Sequence, residues 1–162
     1  MRRRADGWHP ATPALRCPNR GIEHGDAVRK KQLPISTSGR LTGILKLEPV
    51  VMRRHFVSMR MPWGRAASQS AGAFHGGAVV TLADTCAAIG TMNLLPEGYT
   101  TVTSELKINF ISNIKAGAAV AEARLLHRGR LTMVWEVKVF EEGTRHLLAA
   151  ASMTFVVLEP RK

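Results

Sequence analysis

One stretch decides the fold of this chain: residues 74–93, with the sequence FHGGAVVTLADTCAAIGTMN. Its residues are mostly small or apolar, which predicts a helix that lacks a hydrophilic face. Such a helix has no side suited to solvent, so the rest of the domain must wrap around it. Asp84 is the only Asp, Glu, Lys or Arg of the stretch. The sequence therefore predicts a central helix that carries one carboxylate into the surrounding structure.

A lone carboxylate in such surroundings needs an explanation, because an unpaired buried charge is costly. The group is normally paired, neutralised by a raised pKa, or kept for chemistry. One interpretation of Asp84 is structural, with the carboxylate satisfied by hydroxyl groups or by a basic side chain folded over the helix. The other interpretation is catalytic, and the residues at the front of the helix favour it.

The helix is predicted to begin at His75-Gly76-Gly77. Two residues without side chains let a ligand approach the unpaired backbone N–H groups at the positive end of the helix dipole. Donors of this kind can hold an oxyanion, and a carboxylate can act as base or nucleophile, which together are the requirements of acyl transfer. A turn with a surface His is the alternative for the tripeptide alone. Its combination with Asp84 is the stronger signal.

Most of the chain around this helix reads as strands. Apolar and alternating patterns predict strands at residues 41–52 and 53–61, followed by a loop of small residues at 65–73. After the helix, four strands are predicted to form a meander, at residues 100–111, 117–127, 131–140 and 146–158. One helix and an antiparallel sheet bury each other when the sheet curls round the helix, so the predicted class is α+β.

Length and charge divide the chain into two parts. The 162 residues fit one domain, predicted at 35–162, and carry a formal net charge of +11. Residues 1–34 hold eight Lys and Arg against three Asp and Glu, with several prolines and no apolar periodicity. We expect this basic tail to be disordered. The charge of the remaining chain is mild and suits an anionic small molecule at least as well as a nucleic acid.

Several classes of function are disfavoured by composition. No basic run is interleaved with aromatic residues, which argues against a nucleic-acid partner. No apolar run approaches the roughly 20 residues that cross a bilayer, so no membrane partner is expected. Cys17 and Cys86 suggest neither a disulfide nor a metal pair, and the six histidines lack ligand spacing. We therefore expect a cytoplasmic protein that uses no metal and no redox cofactor.

The spacing of four features carries a family resemblance. Gln69 stands six residues before His75-Gly76-Gly77, Asp84 follows seven residues after Gly77, and four predicted strands come next. This pattern resembles the hotdog-fold acyl-CoA thioesterases. It is most similar to the branch that contains the phenylacetyl-CoA thioesterase of phenylacetate degradation and the 4-hydroxybenzoyl-CoA thioesterase that uses a helix carboxylate. The resemblance covers about residues 40 to 158.

The resemblance implies a role for each matching position. Asp84 corresponds to the helix carboxylate that attacks the thioester carbonyl or activates water. Gly76 corresponds to the residue whose N–H contacts the thioester oxygen, and His75 to the residue that steadies this corner. Gln69 corresponds to an Asn or Gln that helps to place the carbonyl or the water. Thr103 falls where some members carry a Ser or Thr that orients the water; an ordinary strand residue is the alternative.

A second set of residues is predicted to bind the substrate. Gly77 belongs to the side-chain-free helix start that a ligand can approach. Arg128 and Arg130 lie at a predicted hairpin tip, where basic residues are usually solvated, but the 3′-phosphate and pyrophosphate of coenzyme A need such partners. An apolar pocket of medium size is suggested by the small residues of the 65–73 loop and by four larger side chains: Phe74, Met92, Leu94 and Leu95.

The predicted function is hydrolysis of a medium-chain or aromatic acyl-CoA to the free acid and coenzyme A. Ala88 departs from the family pattern, since some relatives place a Thr four residues after the carboxylate. Non-catalytic acyl-CoA binding and a hotdog hydratase or dehydratase are the alternatives. Gly76 and Asp84 are eight residues apart, about 12 Å along a helix, so both reach one carbonyl most simply across a homodimer. The resemblance implies edge-to-edge dimers, often paired into tetramers.

Overall fold

The computed structural model describes residues 40–160 of the chain. The predicted disordered tail, residues 1–34, lies outside the described residues, as do residues 35–39 and 161–162 of the predicted domain. In chain order the helices and strands are α1 Leu41–Ile44, β1 Glu48–Arg53, β2 Phe56–Pro62, α2 Gly76–Leu94, β3 Thr100–Phe110, β4 Ala118–Arg128, β5 Thr132–Glu141 and β6 Leu147–Leu158. A short 3-10 turn, Arg65–Ala67, lies between β2 and α2.

The strands form one antiparallel sheet in the order β1-β2-β4-β5-β6-β3. The predicted meander is therefore right for β4, β5 and β6 and wrong for β3, which pairs with β6 instead of β4. The connection 111–117 does not make a tight turn. It crosses at the start of α2, where the Phe74 N–H donates to the Ile114 carbonyl. This crossing places β3 at one edge of the sheet and β1 at the other.

Helix α2 packs against five strands, β2 to β6, which confirms the predicted α+β arrangement. The residues that it buries are Ala78, Val79, Leu82, Ala83, Cys86, Ala87, Ile89, Gly90, Thr91 and Leu94. The expectation that the helix is covered on every side was wrong. A stripe remains half-buried or exposed, because no described element covers the side next to β3; it consists of Gly77, Val80, Thr81, Asp84, Thr85, Ala88 and Met92.

A close contact between helix and sheet explains one glycine of α2. A Cβ atom on Gly90 would lie 2.5 Å from Cη2 of Trp135, a side chain with no exposed surface. The Trp135 indole N–H donates to Thr91 Oγ1 at 2.8 Å, and the Thr91 hydroxyl donates to the Ala87 carbonyl at 3.1 Å. Both buried polar side chains are thus satisfied, and the absence of a side chain at position 90 lets the helix approach β5.

The start of the described chain differs from its prediction. Residues 41–52 do not form one strand, since α1 precedes β1 and Lys46 has a positive φ of 52° between them. Leu41, Ile44 and Leu45 follow the three-to-four-residue spacing of a helical turn, and Leu45 is buried in the core. In β2 the predicted alternation is confirmed at Val57, Met59 and Met61, which have no exposed surface, but Ser58 on the other face is also buried, at 4% exposed. The predicted strand 53–61 was too long at its start, since residues 54 and 55 form the turn.

By length and composition, the 19-residue helix α2 could cross a membrane. The expectation that no apolar run approaches such a length was therefore wrong. More than half of the relevant window is buried inside the protein, and the core helix of a soluble protein meets the same criterion. Packing against the sheet accounts for the apolar composition of α2.

Candidate active site

Asp84 lies on the half-buried stripe of α2, beside strand β3. The Thr103 hydroxyl donates to Asp84 Oδ1 with an oxygen–oxygen distance of 2.7 Å, and Asp84 is the one charged side chain of the helix. Within residues 40–160 the second carboxylate oxygen has no hydrogen-bond or ion-pair partner. The structure therefore brings two sequence-predicted site residues into contact, and it leaves one Asp84 oxygen free.

A bulge in β3 puts Thr103 on the side of the helix. The pairing with β6 shifts between Thr103 and Glu105, so Ser104 is the extra residue. Before the bulge Thr103 pairs with buried Phe155, and after it Leu106 pairs with buried Met153. Strict alternation would put Thr103 and Leu106 on opposite faces of the sheet, whereas one extra residue lets both face α2.

The start of α2 is capped by a histidine and leaves one donor free. The Gly77 N–H donates to His75 Nδ1 at 2.9 Å, while the Ala78 and Val79 N–H groups donate to the His75 carbonyl. Within the described chain the Gly76 N–H has no acceptor. An unpaired N–H at a helix N-terminus points its dipole at whatever occupies the space in front of it.

The space beside this free N–H is a cleft of about 360 Å³. Its walls come from the start of α2, the end of β3 and the connection to β4; the lining residues are Gln69, Phe74, His75, Gly76, Val79, Phe110, Ser112, Asn113 and Leu148. The Phe110 ring packs on Gly76, so that a Cβ on Gly76 would lie 3.3 Å from Phe110 Cζ. A side chain at position 76 would therefore crowd the cleft.

Asn113 fixes the backbone that leads into the helix. Its Oδ1 accepts from the N–H groups of Phe74 at 3.1 Å and Ile114 at 2.8 Å, and its Nδ2 donates to the Phe74 carbonyl at 2.9 Å. Sequence reasoning missed Asn113 and Phe110, both of which lie far from Gly76 along the chain. The one signal for Asn113 was its residue type, because Asn side chains in connections often hydrogen-bond to nearby backbone.

Comparison with known proteins decides the family. Residues 71–147 match the model of the thioesterase superfamily. The chain is also 34% identical over 94 residues to 1,4-dihydroxy-2-naphthoyl-CoA hydrolase of Listeria monocytogenes, a match that covers 58% of this chain and 76% of that protein. The chain belongs to the thioesterase superfamily. It is a thioester hydrolase, as the sequence predicted.

Solved structures agree with this assignment. A thioesterase from Haemophilus influenzae superposes with a TM-score of 0.73 at 25% identity, covering 77% of this chain and 87% of that one. The PaaI protein of the phenylacetic acid degradation operon of Escherichia coli superposes with a TM-score of 0.67 at 20% identity, covering 74% of this chain and 84% of that one, a likeness of fold alone. The predicted hotdog fold is thereby confirmed.

Gln69 of the thioesterase lies in the loop before α2, on the edge of the cleft. Its Oε1 accepts from the Ala71 N–H at 3.0 Å, and its backbone N–H donates to the Ala73 carbonyl at 2.8 Å. The loop is held from outside by Trp63, whose indole N–H donates to the Gly72 carbonyl at 3.0 Å. The side-chain carbonyl of Gln69 is thus engaged, which leaves its amide NH₂ as the group that can donate into the cleft.

Other predicted substrate residues lie at the opposite end of the helix in the thioesterase. An Arg128 guanidinium N–H donates to the Leu94 carbonyl at 3.0 Å, so this side chain caps the C-terminus of α2. Leu94 and Leu95 are buried in the core there. Phe74 and Leu94 are separated by the helix, about 30 Å along its axis. The prediction that Phe74, Met92, Leu94 and Leu95 line one pocket with the 65–73 loop is therefore wrong for a single chain.

The thioesterase shows no arrangement of metal ligands in residues 40–160, where no group of three or more His, Cys, Asp and Glu side chains is placed to hold an ion. Cys86 is buried against backbone carbonyls of β2 and β4. Burial raises the pKa of the Cys86 thiol to about 12, so this thiol is protonated and inert near neutral pH. The groups available for chemistry are the Gln69 amide and the Gly76 N–H at the cleft, and the Asp84 carboxylate with the Thr103 hydroxyl farther along α2.

Proposed function

We propose that the protein hydrolyses the thioesters of coenzyme A with medium-chain or aromatic carboxylic acids. The observation that carries this proposal is the 2.7 Å hydrogen bond from Thr103 to Asp84, next to a carboxylate oxygen without a described partner. A reactive carboxylate needs a fixed orientation and one free oxygen. The free Gly76 N–H at the cleft supplies the complementary donor.

Asp84 can act by either of two mechanisms, as a general base or as a nucleophile. As general base it takes a proton from water while the water oxygen bonds to the thioester carbon, and the C–S bond then breaks with release of coenzyme A as a thiol. As nucleophile its free oxygen bonds to that carbon, giving a mixed anhydride and thiolate, and water then cleaves the anhydride. In both, Thr103 holds Oδ1 so that Oδ2 faces the reacting atoms. Gln69 would help to place the carbonyl or the water.

Gly76 would stabilise the oxyanion that forms on the carbonyl. Its N–H lies at the positive end of α2, and His75 uses its Nδ1 on the neighbouring Gly77 N–H, which steadies the corner and leaves the Gly76 donor free. Removing one oxyanion donor costs roughly 100- to 1,000-fold in kcat in well-studied hydrolases. Glycine at position 76 also leaves room for the Phe110 ring beside the cleft.

One chain does not bring these two groups to the same carbon. Gly76 and Asp84 are separated by eight residues of one helix, about 12 Å. Strand β3 is an edge strand of eleven residues, and its side of the molecule exposes apolar side chains, Met92 at 36%, Val102 at 50% and Ile111 at 56%. Long exposed edges and apolar patches are suited to pairing. We therefore propose a homodimer joined at β3, in which Gly76 of one subunit faces Asp84 of the partner subunit.

In this dimer the β4–β5 turn of the partner subunit, which carries basic residues, lies on the coenzyme A side of the proposed active site. Two-fold pairing of the β3 edges makes the two α2 helices antiparallel, so the partner's Arg128 end lies beyond the first subunit's Gly76. Ten residues separate Asp84 from Leu94, about 15 Å of helix. The flexible arm of coenzyme A can span this interval and bring its phosphates to Arg130, whose side chain is exposed at the β4–β5 turn.

The experiment is thiol release from a panel of acyl-CoA esters, with Asp84→Asn and Glu136→Gln compared to the wild type. Asp84→Asn should lower kcat by about 100-fold or more, because the amide is neither base nor nucleophile. Glu136→Gln makes the same carboxylate-to-amide change on β5, away from the proposed interface, and should leave kcat within about twofold. Wild-type kcat in Asp84→Asn would refute the assignment. Acyl-CoA binding without thiol release would favour the non-catalytic acyl-CoA-binding alternative, and hydration of an enoyl-CoA would favour the hydratase.

A further inference from the structure

Phe110 is the last residue of β3, and its ring forms the outer wall of the cleft beside Gly76. The ring is in van der Waals contact with Gly76, since a Cβ atom at position 76 would lie 3.3 Å from Cζ and 3.6 Å and 3.7 Å from the two Cε atoms. These three atoms form the outer end of the ring, so the outer end is the part of Phe110 that lies closest to Gly76. Gly76 and Phe110 line the same cleft, so a group held there by the Gly76 N–H lies on the side of the cleft that Phe110 forms.

The other apolar residues of the cleft are not open to a ligand in the same way. Phe74 is 1% exposed, Leu148 is 2% exposed and Val79 is 4% exposed, so each is already committed to the core. Phe110 is 54% exposed, although a phenyl group of this kind is normally covered. Most of the apolar surface that the cleft offers to a ligand is thus aromatic, and it lies directly beside the proposed oxyanion donor.

We infer that Phe110 determines acyl specificity and selects thioesters of aromatic acids over aliphatic ones of equal carbon number. This inference rests on the proposed function, because it takes the acyl carbonyl to lie on the Gly76 N–H. An aryl ring attached directly or through one methylene to that carbonyl would lie against Phe110. Aromatic pairs favour offset or edge-to-face contact with centroids about 4.5 to 7 Å apart, and an alkyl chain gains only area burial there.

The matched substrates for the test are phenylacetyl-CoA and octanoyl-CoA, whose acyl groups both contain eight carbons. The quantity measured is the ratio of their kcat/KM values, which cancels changes in enzyme concentration, folding and coenzyme A binding. Phe110→Leu should lower the phenylacetyl-to-octanoyl ratio by about 3- to 10-fold, the range expected for one lost aromatic contact. Phe110→Tyr keeps the ring and should retain the wild-type ratio.

Phe56→Leu is the matched control. This variant makes the same Phe-to-Leu substitution at the start of β2. The Phe56 ring lies under the Arg124 guanidinium, 4.8 Å from ring centroid to guanidinium carbon, and it does not line the cleft. The ratio for this variant should equal that of the wild type. An unchanged ratio in Phe110→Leu, or an equal shift in Phe56→Leu, would overturn the inference.

Thiol release by the wild type distinguishes a failure of this inference from a failure of the proposed function. Thiol release from octanoyl-CoA at or above the rate from phenylacetyl-CoA would overturn the aromatic preference and leave acyl-CoA hydrolysis standing. No release from either ester or from the wider panel would overturn both.

Discussion

The Thr103 hydroxyl holds Asp84 Oδ1 at 2.7 Å, so an edge strand orients the one charged side chain of the central helix. The contact joins residues that lie 19 positions apart. It exists because the bulge at Ser104 turns Thr103 toward α2. The geometry is that of a carboxylate fixed through one oxygen, so under the proposed mechanism Thr103 would position Asp84.

Thr103→Val should lower kcat by about 10- to 100-fold, since a hydrogen bond to a charged group is lost while the shape is kept. Thr103→Ser retains the hydroxyl and should recover most of the activity. Ser104→Ala is the control, because the Ser104 hydroxyl donates to the Thr154 carbonyl instead. Steady-state thiol release measures all three. Equal losses in Thr103→Val and Ser104→Ala would show that the effect is structural.

Gly90→Ala should destabilise the fold. Alanine raises helix propensity and would stabilise an exposed helix by about 1 kcal/mol. At position 90, however, its Cβ would lie 2.5 Å from the buried Trp135 ring. Overpacking of this kind costs about 1 to 3 kcal/mol, so we expect a net loss in the free energy of unfolding by urea. Gly64→Ala has nothing within 4 Å and should change little. A stabilised Gly90→Ala would contradict the packing described.

Alkaline pH should weaken the fold through Cys86. Burial raises its thiol pKa from 9.0 to about 12, so below pH 9.0 the thiol is protonated in both states and contributes nothing. As pH rises from 9.0 toward 12, the unfolded state loses the proton first, and stability falls by about 1.4 kcal/mol per pH unit from this group. Cys86→Ala should fall less steeply over this range in urea titrations under reducing conditions. Equal slopes would show that Cys86 is not responsible.

Arg130→Ala should raise KM for acyl-CoA by about 3- to 10-fold with little change in kcat, because it would remove ground-state binding of phosphate. The increase should shrink at high salt, where exposed charges are screened. Lys138→Ala removes a positive charge from the outer face of β5, where Lys138 pairs with Glu136, and serves as control. A lowered kcat at unchanged KM would place Arg130 in a different role.

The sequence alone predicted the structural features that depend on local residue patterns. The apolar run with a Gly-Gly start predicted α2 to within one residue of its observed limits, Gly76–Leu94, and alternation predicted the buried face of β2. It failed where pairing depends on distant residues. Nothing in residues 100–111 shows that β3 joins β6, and the bulge at Ser104 breaks the alternation that would have assigned its faces.

The same difference between local and distant residues applies to the candidate site. Asp84, Gly76 and His75 share one helix, so their spacing is visible in the sequence. Phe110 and Asn113 reach the cleft only because the 111–117 connection crosses at the helix start. Local pattern carries no signal for such a crossing. In the sequence, Arg128 has the pattern of a solvated residue at a hairpin tip. Only the folded structure shows that it donates to the Leu94 carbonyl.

In the proposed dimer each active site combines Gly76 of one subunit with Asp84 of the partner subunit. The most direct measurement mixes Asp84→Asn and Gly76→Val chains, denatures them together and refolds them. Half of the dimers should then be mixed, and each mixed dimer has one intact site and one doubly altered site. We predict recovery of about a quarter of wild-type thiol release from two inactive parents. No recovery, with mixed dimers verified by native mass spectrometry, would mean that the site is built within one chain.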